Sequence, residues 1–186
     1  MDKIVVNEQI TLVPLQEEHF PYLIPWNQDA EILQWVEEDT KEFLDEEEIK
    51  EIYRKALAHG KCFLIVMENS PIGECWLHDL DLPEICQEYP GNRMYRMDYM
   101  IGEKSCHGKG IGTAIAGALL RYGFEELHAD ILWGFTKENN IPSKRIFRRL
   151  GFALDDIITI DIRGKIQKRY HYRMMREEYY ADGRKG

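Results

Sequence analysis

Between Met94 and Ile101, Tyr95, Met97, Tyr99 and Ile101 alternate with Met94, Arg96, Asp98 and Met100. A period of two, carried by aromatic and large apolar side chains, predicts a strand on a half-buried pleated surface. A few residues later the period changes. Ile111, Ile115, Ala118, Leu119 and Tyr122 recur at three- and four-residue steps, which predicts an amphipathic helix. Between strand and helix lie Gly108, Gly110 and Gly112, at every second position.

The same reading extends along the chain. Gln9 to Val13 alternates as a first strand and stops at Pro14. Leu15 to Trp26 reads as a short helix broken by Pro21 and Pro25. An apolar cluster follows at Ile32, Leu33, Trp35 and Val36, and Glu46 to His59 is a helix with Ile49, Ile52, Tyr53, Ala56 and Leu57 on its apolar side. Lys61 to Met67 is a buried strand, paired through a turn at Asn69-Ser-Pro with Ile72 to His78. Asp79 to Asn92 is a loop. Asp130 to Phe135 is a strand, and Asn140 to Leu150 a helix capped by Asn140 and ended by Gly151. Phe152 to Asp161 and Lys165 to Met175 form a hairpin around Arg163-Gly164. Residues 1–175 read as a single mixed α/β domain, and 176–186 as a polar tail that frays.

Composition narrows the functions. The net charge of −9 disfavours nucleic acid and anionic membrane and suits a cationic acceptor. No apolar run is long enough to span a bilayer, and Met1 to Asn7 has no charged-then-apolar signal pattern. Cys62, Cys75, Cys86 and Cys106 are scattered without a Cys-x-x-Cys pair, which argues against a metal site or a disulfide framework and fits a reducing cytoplasm. The carboxylates Glu37, Glu38 and Asp39 precede a helix and could form a cation-attracting rim. Asp79, Asp81, Glu84 and Glu88 could form a second.

A glycine loop between a strand and a helix start offers free backbone N–H groups and the positive end of the helix dipole. That is a seat for an anion, phosphate above all, with Lys104 and Lys109 beside it. The other reading is a plain turn in which glycine relieves crowding. It is not a P-loop, for no Gly-Lys-Ser/Thr follows, and the glycine spacing departs from the dinucleotide fingerprint by one residue.

Gly108-Lys-Gly-Ile-Gly-Thr113 after a strand, followed by Asn140, Ser143, Phe147 and Gly151-Phe152, resembles the GCN5-related N-acetyltransferases. The run from Asp98-Tyr-Met-Ile-Gly-Glu103 to Lys109-Gly-Ile-Gly-Thr113 looks most like the aminoglycoside 6'-N-acetyltransferases. The resemblance implies a central, mostly antiparallel twisted sheet of six to seven strands flanked by helices. A cleft between the fourth and fifth strands would take acetyl-CoA. The implied cofactor contacts are Met100 and Ile101 on the strand, His107, Gly108, Lys109, Gly110, Ile111, Gly112 and Thr113 in the loop, and Asn140, Ser143 and Phe147 beyond it. Asp98 is the implied proton acceptor or amine anchor; a pairing with Arg96 is the structural alternative. Trp26, Gln34, Trp35, Glu38, Asp79 and Asp98 are candidate acceptor contacts, with core packing the alternative for both tryptophans.

Two positions depart from the pattern. Phe147 stands where the family often has a tyrosine that protonates the leaving thiolate, and Phe135-Thr136 stands where the aminoglycoside group carries an Asp. The expectation is a cytoplasmic acetyl-CoA-dependent N-acetyltransferase, monomer or homodimer, acting on a small cationic amine, with the aminoglycoside 6'-amine among its candidates. A protein N-terminus or lysine, or a non-catalytic CoA-binding role, are the alternatives.

Overall fold

Met94–Ile101 is a strand, β5, and its two faces divide the molecule. Met97 is buried on one face, with Tyr95, Tyr99 and Ile101 packed against the same core. Met100 packs into a separate cluster on the other face, where Arg96 and Asp98 also point. The computed structural model describes residues 2–35, 44–80, 82–162, 164–181 and 183.

The strands are β1 (Ile4–Val5), β2 (Ile10–Pro14), β3 (Gly60–Met67), β4 (Ser70–Asp79), β5, β6 (Ile131–Lys137), β7 (Ala153–Ile162) and β8 (Lys165–Met175). They form one sheet in the order β1-β2-β3-β4-β5-β6-β8-β7. The short β1, which pairs antiparallel with β2, makes eight strands where six to seven were expected. Two residues are too few to show an alternation. The mixed α/β architecture and the mostly antiparallel sheet are as the sequence implies.

One junction breaks the antiparallel rule. β5 and β6 are parallel, and they pair only from Met94↔Ile131 to Arg96↔Trp133, although β5 runs on to Ile101 and β6 to Lys137. Each strand keeps its outer neighbour along its whole length. β4 pairs with β5 as far as Gly73↔Ile101, and β8 pairs with β6 as far as Lys137↔Arg169. Two stiff ladders therefore part beyond Arg96 and leave a wedge between them. With β1 counted, the opening lies between the fifth and sixth strands in chain order. They are the same two strands as the expected fourth and fifth.

The helices are α1 (Phe20–Trp26), α2 (Ala30–Leu33), α3 (Glu46–His59), α4 (Pro83–Glu88), α5 (Ile111–Glu125), α6 (Ile141–Arg149) and α7 (Arg176–Ala181). Asp45 caps α3 in a capping box with Glu48. α5 is the crossover between the parallel strands, and its Ile115, Ala116, Leu119 and Phe124 are buried under the sheet. α1 and α3 cover the opposite face with Phe20, Leu23, Ile49 and Tyr53.

Two segments are more ordered than the sequence suggests. The expected loop after β4 contains α4, whose Ile85 joins a core with Met94 and Trp133. The expected frayed tail begins as α7: Tyr179 stacks on Phe124 at 4.9 Å and donates to Glu125. Arg176 adds bonds to the Ala129 carbonyl at 2.7 Å and to Asp130 at 3.1 Å, so the Tyr179 ring and one guanidinium dock the segment together.

β6 also shows how tightly the core closes. A Cβ on Gly134 would lie 2.2 Å from the Phe147 ring. That ring cannot retreat, because it stacks on Tyr172 at 5.1 Å and meets Phe152 edge-on at 5.2 Å. Gly134→Ala is expected to cost roughly 1–3 kcal/mol by overpacking, read as a lower urea midpoint. An unchanged midpoint would show that Phe147 has room to move.

Candidate acetyl-CoA and acceptor site

The glycine loop joins β5 to α5. Gly108 and Gly110 have φ of 74° and 80°, the left-handed region that glycine enters without strain, and a Cβ on either would meet nothing within 4 Å. Gly112 serves a different need. A side chain there would press on Ile146 of α6 at 3.1 Å. Gly110 occupies the N-cap of α5 without a capping side chain. The N–H groups of Thr113 and Ala114 turn back to the Gly110 carbonyl. Those of Gly108 to Gly112 donate to no other described residue. A row of N–H groups without a protein partner at a helix start, exposed at Gly108 to Gly110, fits the diphosphate of CoA.

Side chains around this loop are more committed than expected. Lys104 does not face the loop as a free cation: its ammonium binds Asp29 at 2.7 Å and Glu31 at 3.0 Å, tying α2 to the segment after β5. His107 Nε2–H donates to the Ile101 carbonyl at 2.8 Å, so its ring braces the loop against the strand end. Lys109 is exposed.

Strand alternation settles which backbone groups face the wedge. Gly102 N–H donates to Ile72 O, and Glu74 lies opposite Met100, so the Met100 backbone bonds to β4. Tyr99 and Ile101 then present theirs to the β6 side, where the ladder has ended. Of the two strand residues expected to hold the donor, Ile101 turns its backbone to the wedge and Met100 does not; Tyr99 does. Its ring lies beside Gly112, and its hydroxyl makes a long 3.5 Å contact with Ser143 on α6. Burial pushes the Tyr99 phenol up to about 12, against the pull of Ser143, so it stays protonated.

Asp98 is not a free carboxylate. One oxygen accepts from Arg96 Nη2 at 2.9 Å and Nε at 3.2 Å; the other meets His78 Nε2 at 3.0 Å. Burial alone would raise its pKa, but the Arg96 charge and the His78 contact outweigh that, and the net shift is downward. The Arg96 guanidinium also lies over the Phe135 ring at 5.0 Å. The pairing with Arg96 weighed as an alternative is present, and His78, which the sequence pattern did not single out, completes it.

A second acid shares this face. Glu74 on β4 is diagonal to Asp98 across the β4–β5 ladder, about 7 Å away by sheet geometry. It is 5% exposed and makes no hydrogen bond or ion pair with any described residue. Burial first, and the negative Asp98 second, push its pKa up to about 8. Its neighbours in sequence, Gly73 and Cys75, gave no hint that a strand reading as apolar would bury an acid here.

The other expected residues divide. Asn140 Oδ1 caps α6 by accepting from Ser143 N–H, and its Nδ2 donates to the Trp35 carbonyl, so both ends are engaged within the protein. Phe147 is 2% exposed and belongs to the core, not to a ligand surface. The Trp26 ring packs flat against Gly102, and its Nε1–H reaches Glu103 at 3.3 Å, which makes it a wall of the core. Trp35 is half-exposed, and Gln34 donates to Glu31 O one turn back. Asp79 projects from the opposite face of the sheet to Asp98, level with Tyr95, and does not join the site. Glu38, with Val36, Glu37, Asp39, Asp81 and Arg163, lies outside the described residues. Among the described residues no group of three His, Cys, Asp or Glu is placed to hold a metal, and no helix is long and apolar enough to cross a membrane.

Comparison with known proteins agrees with this architecture. The family model for the acetyltransferase (GNAT) domain matches residues 9–153. The alpha/beta-tubulin-N-acetyltransferase 9 of Homo sapiens is 26% identical over 162 residues, covering 80% of this chain and 74% of the relative. An acetyltransferase from Salmonella typhimurium that modifies the N-terminal serine of ribosomal protein L7/L12 shares the fold at a TM-score of 0.75 and 18% identity, over 93% of this chain and 98% of that one. The spermidine N-acetyltransferase of Vibrio cholerae, solved with CoA and spermine, shares it at 0.77 and 19%, over 94% and 99%.

Glu74 sets a pH dependence of stability. Its folded pKa, about 8, lies above the ordinary 4.5. Below pH 4.5 both folded and unfolded chains hold the proton, and the residue costs nothing. As pH rises towards about 8 only the unfolded chain releases it, so the native state loses ground, and above that the cost is constant. Glu74→Gln removes this cost. Its thermal midpoint is expected to exceed the wild type by a margin that grows from pH 5 to about 8 and then levels; a margin independent of pH would refute the assignment.

Proposed function

We propose that this chain, which belongs to the GNAT acetyltransferase family, transfers an acetyl group from acetyl-CoA to the α-amine at a polypeptide N-terminus. Bound acetyl-CoA supplies an acyl group activated as a thioester. The chain's own parts do the rest. The free N–H groups of Gly108 to Gly112 hold the diphosphate, and the wedge-facing backbone of Tyr99 and Ile101 aligns the arm that carries the acyl group. One such N–H aimed at the acyl oxygen would be worth several kcal/mol in the transition state. Phe147 has no proton to give, so the Tyr99 hydroxyl, in contact with Ser143, is the protein's proton source for the departing thiolate. Asp98, held by Arg96 and His78, keeps a fixed negative charge beside the acceptor.

One observation carries the choice of acceptor: the Asp98 charge is already matched by Arg96. Asp79 lies on the other face, and Glu74 is protonated at neutral pH. Beside Asp98, a polycation such as an aminoglycoside would find no second ionised carboxylate on that face of the β4–β5 ladder. An α-amine brings a single charge and a neutral peptide behind it. The name of the L7/L12 acetyltransferase states an N-terminal serine, and that of the tubulin acetyltransferase states a protein acceptor. A small polyamine is the second reading, favoured by the net charge of −9 and by the spermidine acetyltransferase of like fold.

The test is thiol release from acetyl-CoA with free-N-terminal peptides, N-blocked lysine peptides, spermidine and aminoglycosides in parallel. Free N-termini are expected to give at least roughly a tenfold higher kcat/KM than any other amine, about 1.4 kcal/mol of discrimination. Turnover confined to spermidine or aminoglycosides would replace this reading with the second. In Gly110→Ala, a left-handed alanine costs roughly 1–2 kcal/mol, so CoA should bind about tenfold more weakly. Unchanged CoA binding would remove the loop from the site.

A further inference from the structure

Resting on the acetyl-transfer reading above, we infer that Glu74, and not Asp98, takes the proton from the acceptor ammonium, and that Asp98 is a positioning residue. The geometry separates the two acids. Asp98 accepts twice from Arg96 on one oxygen and meets His78 on the other, so its charge is already matched. Glu74 is more than nine-tenths buried on the same face, two residues along the ladder, with no hydrogen-bond or ionic partner among the described residues. An unpartnered acid at such a depth costs stability, and the fold has cores enough to have filled the place with an apolar side chain. It lies opposite Met100, on the strand that borders the wedge. A base here sits between the acceptor-side cover of α1 and α3 and the strand that aligns the donor.

The groups facing Glu74 leave it free to exchange a proton. α3 brings the Tyr53 hydroxyl, which accepts from Asn27 Nδ2. β3 brings the Cys62 thiol, pushed up to about 12 by burial and then by Glu74, so it stays neutral. β4 itself carries His78, and β5 carries Asp98 and Arg96, which are committed to each other. None of these donates to Glu74.

The step is a proton transfer to the ionised form of Glu74, the minor form at pH 7 and the major one above about 8. The N–H bond of the ammonium breaks, its electron pair remains on nitrogen as the nucleophile, and the proton moves to a Glu74 oxygen. After acetylation the carboxylic acid returns the proton to solvent. Proton affinity fits one class of amine. A peptide α-amine has an ordinary pKa of ~7.7–8.0, close to that of Glu74 at about 8, whereas a lysine or polyamine ammonium near ~10.4 would give up its proton some two units uphill. Glu74 thereby adds a reason for the α-amine acceptor beyond charge counting.

The experiment compares wild type, Glu74→Gln, Glu74→Asp and Asp98→Asn with a free-N-terminal peptide, reading kcat and KM across pH 6 to 10, CoA affinity by calorimetry, and the protonated-carboxyl infrared band. In the wild type that band should be present at pH 7, fade with a midpoint near 8, and be missing in Glu74→Gln. Glu74→Gln should lose roughly 100-fold or more in kcat with CoA affinity within twofold, and its residual rate should climb with pH without levelling. Glu74→Asp should recover part of kcat. Asp98→Asn should raise the peptide KM more than it lowers kcat. Full kcat in Glu74→Gln, or an Asp98→Asn variant that alone loses the pH limb, overturns the assignment while leaving acetyl transfer standing. Wild type that binds CoA but releases no thiol with any amine overturns the acetyl-transfer reading, and this inference with it.

Discussion

Two parallel strands that share only three residue pairs set the terms for the rest of this molecule. A backbone N–H or C=O away from water needs a partner, and a sheet normally supplies it. Here β4 and β8 hold β5 and β6 from outside, so the inner edges diverge beyond Arg96 and Trp133 and no longer pair with each other. The glycine loop continues the same condition around the corner, with left-handed glycines and an uncapped helix start. In the proposed reaction, donor recognition therefore falls to main chain more than to side chains. That is why Lys104 can be spent on Asp29 and Glu31, and His107 on Ile101, without emptying the site.

The second organising fact is an unequal pair of acids on one sheet face. Asp98 and Glu74 are diagonal neighbours, yet their surroundings drive them in opposite directions: two cationic or hydrogen-bonding partners hold one ionised, and apolar walls hold the other protonated. Divergence of this kind allots distinct roles to chemically similar groups. The fixed charge of Asp98 in turn helps keep Glu74 neutral, so neither residue's behaviour can be understood alone.

Much of this was legible in the sequence. Period-two and period-3.6 patterns located seven of the eight strands and the helices that flank the wedge, because burial on one face imposes those periods. The glycines Gly108, Gly110 and Gly112 marked the turn into α5 for local reasons, positive φ at the first two and close packing against α6 at the third. What the sequence hid was set by distant partners. The engagement of Asn140 with Trp35 joins residues 105 positions apart. The pairing of His78 with Asp98 depends on the β4–β5 register, and so does the placing of Asp79 on the wrong face. Glu74 was overlooked because a lone acid in a short strand gives the same pattern whether its strand edge is wet or buried. Phe147 was expected at the cofactor because a motif position was carried over; Gly134 opposite it, small enough to admit the ring, draws it into the core.

The bond from Asn140 to the Trp35 carbonyl reaches beyond helix capping. One amide side chain terminates α6 on the donor side and grips the stretch after α2 on the acceptor side, so these two flanks are coupled mechanically in series. That stretch cannot swing outward without also loosening the start of α6.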